Sequence, residues 1–135
     1  MARILVVDGD PLFLAIMSRA LEKAHHDVVA VTDGAKATEL FLSDPFDGLV
    51  CDLAQPPAAG LQLIREARQH APQAAIVATS ATKSQGREVH TDVLKMANAV
   101  GANAVVKKPF EVFDFVATVE TALGLSPKRY TASKG

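Results

Sequence analysis

The 135-residue sequence has little of several features that would define a class of protein by themselves. It contains one cysteine, Cys51, which excludes an internal disulfide, and no charged and apolar leader opens it, so we expect a reducing, cytoplasmic location. The longest apolar run, Leu12 to Met17, is far too short to cross a bilayer, which predicts no membrane insertion. Hydrophobic residues make up 49% of the chain, which is enough to form one hydrophobic core without stabilising metal ions or disulfide bonds.

A basic surface is also missing from most of the chain. The net charge is −1, and residues 1–125 carry about −4, because three of the 14 lysines and arginines lie in residues 126–135 whereas all 15 acidic residues lie earlier. Nucleic-acid-binding domains present a basic stripe, so this distribution predicts no nucleic-acid partner. We expect one domain over residues 1–125, followed by a flexible basic tail over residues 126–135.

Five short apolar runs alternate with stretches of helical periodicity. Strands that are apolar at consecutive positions are typical of a parallel sheet covered by helices on both faces. The predicted strands span residues 3–7, 28–32, 48–51, 75–79 and 103–106, and the predicted helices span residues 11–24, 34–43, 60–70, 90–100 and 110–124. The pattern predicts an α/β fold in which a strand-helix unit repeats five times.

Chemically reactive side chains follow these strands, at the edge where ligands bind in such sheets. Asp8 and Asp10 follow the first strand, and Asp52 ends the third. Ser80 follows the fourth strand and Lys108 the fifth. A carboxylate beside a core is costly unless cations or donors stabilise it. A nucleophilic carboxylate, acidic ligands for Mg²⁺, a hydroxyl and an ammonium group together suit phosphoryl transfer to a carboxylate.

In this order and spacing the motifs resemble the response-regulator receiver domain of two-component signalling, the CheY-like type. The resemblance spans residues 2 to about 124. It implies a doubly wound, five-stranded parallel sheet of flavodoxin-like topology with strand order 2-1-3-4-5. The segments that carry it are Ile4-Leu5-Val6-Val7-Asp8, Asp33-Gly34-Ala35-Lys36-Ala37, Asp47 to Asp52 with Pro56 and Gly60, Ser80-Ala81, and Gly101-Ala102 followed by Lys108-Pro109-Phe110.

The resemblance also implies a role for each site residue. Asp52 would accept a phosphoryl group from a histidine kinase or a histidine phosphotransfer protein, and Lys108 would pair with a phosphoryl oxygen. Asp8, Asp52 and the backbone carbonyl of Ala54 would hold Mg²⁺. Ser80 would turn inward to the phosphoryl group and move the fourth helix. The domain would then signal by contact with a downstream protein, through the fourth helix, fifth strand and fifth helix. Its only chemistry would be its own phosphorylation and dephosphorylation, so we do not expect an enzyme.

One departure from the family pattern affects the metal site. Receivers carry two adjacent acids after the first strand, and Gly9 stands where the second would be. A carboxylate about 4 Å from a cation contributes roughly 4 kcal/mol at an effective dielectric constant of ~20. Losing half of that weakens binding by an order of magnitude, which predicts a weak Mg²⁺ site. Asp10 could replace the missing ligand, although its position before Pro11 favours a helix N-cap.

Further departures concern signal output. Val105 replaces the usual aromatic partner of the switch hydroxyl, and Ala59 replaces a polar residue before Gly60. The polar stretch 82–91 belongs to a connection that is longer than usual, which suggests a lid or a partner-docking segment. We expect His25 and His26 to be solvated.

Two alternatives to a phosphorylated receiver remain. Gly9, Val105 and Ala59 would also fit a receiver-like adaptor that signals without phosphorylation. Asp8-Gly9-Asp10 after an apolar strand resembles the nucleophile motif of haloacid-dehalogenase-like phosphatases, but the chain is short for that fold and no paired acids follow Lys108.

Overall fold

The apolar runs form a five-stranded parallel sheet with helices on both faces, as the sequence predicted. The computed structural model describes residues 1–53, 58–81, 83–84, 87–88 and 90–125. The strands of the sheet are β1 (Arg3–Val7), β2 (Asp27–Val31), β3 (Gly48–Asp52), β4 (Ala75–Ala81) and β5 (Ala104–Lys108). The helices are α1 (Pro11–Lys23), α2 (Gly34–Ser43), α3 (Ala58–His70), α4 (His90–Val100) and α5 (Val112–Ala122).

The strand order is β2-β1-β3-β4-β5, which confirms the predicted topology. The chain runs from β1 outward to β2 and then returns to β3 on the other side of β1, so the order reverses between β1 and β3. In this pair Val7 lies opposite Cys51. The residues that follow Val7 and Cys51, which are Asp8 and Asp52, therefore lie side by side at the reversal, where ligands bind in open α/β sheets.

Alternate strand residues enter two separate cores, because successive side chains on a strand point to opposite faces. On one face, Leu5, Leu49 and Ile76 pack against residues of α2, α3 and α4. On the other face, Val6, Val50 and Val77 pack against residues of α1 and α5. Cys51 lies in the first core with 1% exposure.

The limits of the elements differ from the sequence prediction mainly at β4 and β5. β4 continues to Ala81, and β5 spans Ala104–Lys108, so Lys108 ends a strand instead of following one. Outside the main sheet, Lys83–Ser84 pairs antiparallel with Arg87–Glu88. The rest of the stretch 82–89 lies outside the described residues, and so does the tail at 126–135. The part of the chain that the structure describes contains no helix long and apolar enough to span a bilayer.

The expectation that His26 is solvated is wrong. The residue is 6% exposed, and its side chain links Ala2, directly before β1, to α5. Nδ1 accepts a hydrogen bond from the Ala2 backbone N–H at 3.1 Å, so the ring proton lies on Nε2, which donates to Glu120 Oε2 at 2.8 Å. Two polar partners satisfy the imidazole inside the fold, and burial therefore costs it little. His25 is exposed, as expected.

Arg68 joins two loops at the amino-terminal edge of the sheet. From α3, its guanidinium donates to the Gly101 carbonyl through Nε at 3.0 Å and Nη2 at 2.9 Å. Nη1 donates to the carbonyls of Pro72 at 2.9 Å and Ala74 at 2.7 Å. A planar group with several donors thus ties the loop before β4 to the loop before β5.

Candidate functional site

Three charged side chains meet at the carboxyl edge of the sheet. Asp8 directly follows β1, Asp52 ends β3 and Lys108 ends β5. The Lys108 ammonium nitrogen lies 2.6 Å from Asp8 Oδ2 and 2.9 Å from Asp52 Oδ1. Side-chain exposure is 1% for Asp8, 15% for Asp52 and 12% for Lys108. The structure thus brings together three of the residues that the sequence placed at one site.

Strand geometry explains why this lysine enters the site and its neighbour does not. Lys107 and Lys108 are consecutive on β5, so their side chains point to opposite faces. Lys107 is exposed, while Lys108 is largely buried, with its ammonium group also 4.4 Å from the centre of the Phe13 ring. The ring of Phe13 supplies a further weak attraction for the cation.

The surroundings shift the pKa values of two members of the cluster. Burial raises the pKa of Asp8, and hydrogen bonds from Lys108 and from the Asp10 backbone N–H offset this only partly. Burial by itself would lower the pKa of Lys108, but its hydrogen bonds to Asp8 and Asp52 outweigh that effect and raise it. Lys108 is therefore held as a cation between the two carboxylates.

A fourth residue of the site, Thr79, was missed by the sequence reasoning. Thr79 lies opposite Asp52 in the β3–β4 pair and is fully buried. Its hydroxyl donates to Asp52 Oδ1 at 3.2 Å. The motif drew attention to Ser80, which is 1% exposed and, as the next strand residue, belongs to the opposite face of β4. Successive residues on a strand point to opposite faces of the sheet, so Thr79 points to the same face as Val77, and Asp52 points to that face as well. This alternation would have identified Thr79 from the sequence.

Asp10 caps α1, as the N-cap interpretation predicted. Its side chain accepts a hydrogen bond from the Leu12 backbone N–H at 2.9 Å, and Pro11 occupies the first helical turn. The cap uses Oδ1 of Asp10, and the alternative role of Asp10 as a metal ligand stays a prediction. Ala54, whose carbonyl was the other expected ligand, lies outside the described residues. Among the described residues, no three His, Cys, Asp or Glu side chains form a group that could hold a metal ion.

Gly9 leaves open space beside the cluster. A Cβ atom built on Gly9 would meet no other atom within 4 Å, and the residue has no positive φ that would require glycine. The space is part of a cleft of about 650 Å³ between α2 and α3, which Gly9 and Asp52 both line. The backbone could therefore accept an acidic residue at this position, so the loss of the second carboxylate is a feature of the sequence and not of the fold.

Comparison with known proteins identifies the fold's family. The sequence profile of the response regulator receiver domain matches residues 4–120. The chain belongs to this family. Receiver domains are generally signalling domains, and the Asp8-Gly9-Asp10 segment lies within the matched residues.

Individual relatives agree with this assignment. The response regulator receiver protein CpdR of Brucella abortus is 29% identical to this chain over 123 residues. The match covers 91% of this chain and 98% of CpdR. The response regulator ArlR of Staphylococcus saprophyticus is 26% identical over 129 residues, which cover 96% of this chain but only 56% of ArlR. The chain thus spans little more than half of one relative and nearly all of the other.

A solved structure supports the fold. A CheY-like receiver domain protein from Methanospirillum hungatei superposes with a TM-score of 0.80 at 19% identity, and the match covers 100% of this chain and 99% of that one. At this identity the likeness concerns the architecture, which is the doubly wound sheet described above.

Proposed function

We propose that this receiver domain accepts a phosphoryl group on Asp52 from a histidine kinase or a histidine phosphotransfer protein and signals by protein contact. The observation that carries the proposal is the position of Lys108 between the Asp8 and Asp52 carboxylates at the carboxyl edge of the sheet. A carboxylate nucleophile beside a fixed cation is the arrangement that phosphoryl transfer needs. The single, buried Cys51 is compatible with a reducing cytoplasm, where we place this exchange.

In the transfer step, a carboxylate oxygen of Asp52 bonds to phosphorus while the bond from phosphorus to the donor's imidazole nitrogen breaks. The electron pair of that bond stays on the imidazole. Lys108 moves from the carboxylates to a phosphoryl oxygen and neutralises part of the added charge, which is close to −2. Asp8 remains beside the group and keeps the ammonium within reach.

Asp8 and Asp52 also fit a Mg²⁺ ion of modest affinity. Mg²⁺ in phosphoryl-transfer sites is commonly held by one or two carboxylates together with waters and the phosphoryl oxygens. The two carboxylates share the Lys108 ammonium, so they lie close enough to share an ion, and the space at Gly9 leaves room for water. When bound, the ion would neutralise phosphoryl oxygens that Lys108 does not reach.

Signal output in this proposal depends on Ser80. The buried hydroxyl belongs to the face of β4 opposite Asp52, so contact with a phosphoryl group requires the end of β4 to change conformation. Such a change would shift α4, which follows the β4 segment, and would alter the surface of α4, β5 and α5. Val105 packs against the first core from β5 and offers no aromatic ring to follow the hydroxyl. The downstream partner would therefore read the position of α4.

The direct test uses acetyl phosphate and Mg²⁺ with the purified chain, followed by intact-mass spectrometry. We expect phosphoryl mass on the wild type and none on Asp52→Asn. Asp33→Asn, an exposed cap residue of α2, serves as the matched control and should be modified like the wild type. If neither acetyl phosphate nor any cognate kinase modifies the wild type, the proposal is wrong.

A second experiment tests the metal argument. Gly9→Asp restores a carboxylate at a position with room for it. We expect the Mg²⁺ affinity to rise by about tenfold or more, because an added carboxylate near the ion contributes a few kcal/mol. The titration can be followed by NMR chemical shifts of the site. An unchanged affinity would show that Gly9 does not limit the metal site.

A phosphorylation-independent adaptor is the second candidate function. The observation that favours it is that Lys108 already engages both carboxylates while the second acid is absent at Gly9. An adaptor of this kind would bind its partner equally well as Asp52→Asn. Partner binding that responds to phosphorylation would exclude it.

A further inference from the structure

Phe13 gives the Lys108 ammonium a neighbour besides the two carboxylates. The ammonium nitrogen lies 4.4 Å from the centre of the Phe13 ring, 2.6 Å from Asp8 Oδ2 and 2.9 Å from Asp52 Oδ1. A cation over the face of an aromatic ring is attracted by the negative charge of that face. The ammonium has three N–H donors, and its contacts among the described residues are two carboxylates and one ring.

Packing holds the Phe13 ring in place independently of the ion pair. Phe13 lies on α1, and its ring contacts the ring of Phe110 with 6.0 Å between the centres and 59° between the planes. Phe110 stacks in turn on Phe115, which is fully buried on α5, with 5.1 Å between the ring centres. The ring of Phe13 thus packs against the second core and is already ordered before a phosphoryl group arrives.

The three neighbours of the ammonium differ in what phosphoryl transfer does to them. Asp52 gives up its contact, because Lys108 turns to a phosphoryl oxygen and the carboxylate becomes an acyl phosphate. Asp8 and Phe13 stay chemically the same throughout the step. Asp8 follows β1 whereas Phe13 is part of α1, so these two contacts together define a position for the ammonium after it has left Asp52.

An aromatic ring suits this role better than a third carboxylate would. A carboxylate would bind the ammonium through a full charge and would compete for it with the phosphoryl oxygens. The face of a phenyl ring carries only a partial charge, so the ring attracts the cation weakly and leaves its charge available. The cation can then stabilise charge on the phosphoryl group without first having to be ordered.

We propose that Phe13 is a positioning residue for phosphoryl transfer, whose ring holds the Lys108 ammonium in place while Asp52 becomes an acyl phosphate. This inference rests on the proposed phosphorylation of Asp52. In the unmodified site two carboxylates fix the ammonium, so loss of the ring changes its position little. In the transition state the contact with Asp52 has been given up, and loss of the ring then costs more. A contact that matters more in the transition state than in the ground state accelerates the step.

The test compares the initial rates at which the wild type and Phe13 variants gain phosphoryl mass from acetyl phosphate with Mg²⁺. In this reaction a carboxylate oxygen of Asp52 bonds to phosphorus, the bond from phosphorus to the acetate oxygen breaks, and its electron pair stays on the acetate. We expect Phe13→Leu, which removes the ring but keeps an apolar side chain, to react about tenfold more slowly. Phe13→Tyr keeps an aromatic face and should react within about twofold of the wild type.

Trifluorophenylalanine in place of Phe13 separates the attraction of the ring from its shape. The fluorine atoms withdraw electrons from the face of the ring and change its size little, so the attraction for the cation falls while the packing stays. We expect this protein to react about threefold more slowly than the wild type. It also decides the question if Phe13→Leu does not fold.

Leu14→Ala is the matched control, because Leu14 is the next residue of α1 and, like Phe13, is half-buried against the second core. It should lower the melting temperature and leave the rate within about twofold of the wild type. A fluorinated protein that reacts as fast as the wild type would overturn the inference alone, and so would a Leu14→Ala protein that is slowed as much as Phe13→Leu. Failure of the wild type to take up a phosphoryl group from any donor would overturn both this inference and the proposed function.

Discussion

Lys108→Met removes the cation that holds two carboxylates inside the fold. Methionine keeps an unbranched side chain of similar length against Phe13 but loses the ammonium. In the wild type this group contacts Asp8 at 2.6 Å and Asp52 at 2.9 Å, with 12% of the lysine side chain exposed. Because Asp8 is 1% exposed, the substitution leaves a buried carboxylate without its cation.

The expected loss is large for a single substitution. Two unit charges about 4 Å apart attract by about 4 kcal/mol at an effective dielectric constant of ~20, and the desolvation of each group offsets part of this. Removing one partner of a buried ion pair costs about 3–5 kcal/mol. We expect the free energy of unfolding to fall by about 3 kcal/mol at pH 7, which for a domain of this size lowers the melting temperature by roughly 10 °C.

The pH dependence follows from the two pKa shifts. Lys108 has a raised pKa in the folded state, so its contribution to stability is fully present below its unfolded value of 10.5 and is lost as pH rises through the higher folded value. The pKa of Asp8 is already raised by burial, and loss of the cation raises it further. In Lys108→Met the Asp8 carboxylate therefore becomes protonated as pH falls, and the buried group is then neutral and no longer needs a cation. The stability gap between variant and wild type should therefore narrow from pH 7 toward pH 4.

Urea denaturation at several pH values measures this gap. Lys107→Met is the matched control, since Lys107 is the exposed neighbour on the same strand and should change stability by less than about 0.5 kcal/mol. Equal stabilities of the two variants at pH 7 would refute the energetic role of the ion pair. A gap that widens as pH falls would refute the assignment of the effect to Asp8.

Three further outcomes are expected. Asp8→Asn should raise the free energy of unfolding above the folded-state pKa of Asp8, because burial disfavours the charged carboxylate and, unlike Asp8 in Lys108→Met, the Lys108 cation keeps a partner, Asp52. The gain should vanish below pH 3.8, and urea denaturation that shows a loss at pH 7 would contradict this. Arg68→Lys should lower stability by about 2 kcal/mol in thermal unfolding, since one ammonium cannot reach all the carbonyls that the guanidinium contacts, whereas exposed Arg65→Lys should have little effect. Burial raises the pKa of the Cys51 thiol to about 12, so iodoacetamide at pH 8 should label it only in urea; rapid labelling of the folded chain would contradict its burial.

Much of the fold could be predicted from residue patterns because the relevant signals are local. Strands that are apolar at consecutive positions predicted a sheet covered on both faces, and Asp10 followed by Pro11 predicted the start of α1. Val7 and Cys51 precede the two acids of the site, so the order of residues along the chain was enough to expect Asp8 and Asp52 at one edge.

Other features required the positions of distant segments. Thr79 belongs to the site because β4 lies beside β3 in a register that places it opposite Asp52. His26 is buried because Glu120, 94 residues later, lies on the helix that packs over it. Neither partner can be inferred from the residues around His26 or Thr79.

The sequence by itself determined the class of this protein. It shows a strand-helix unit repeated five times, the acids, hydroxyl and lysine that are typical of a receiver, and a glycine, Gly9, in place of the second acid. These depend on which residue follows which strand, and a parallel sheet translates that order directly into position. Only the tertiary structure decided how Asp52 is held, with Lys108 and Thr79 both on one of its oxygens. Hydrogen bonds depend on register and side-chain direction to within tenths of an ångström, and these are fixed when the strands pack together.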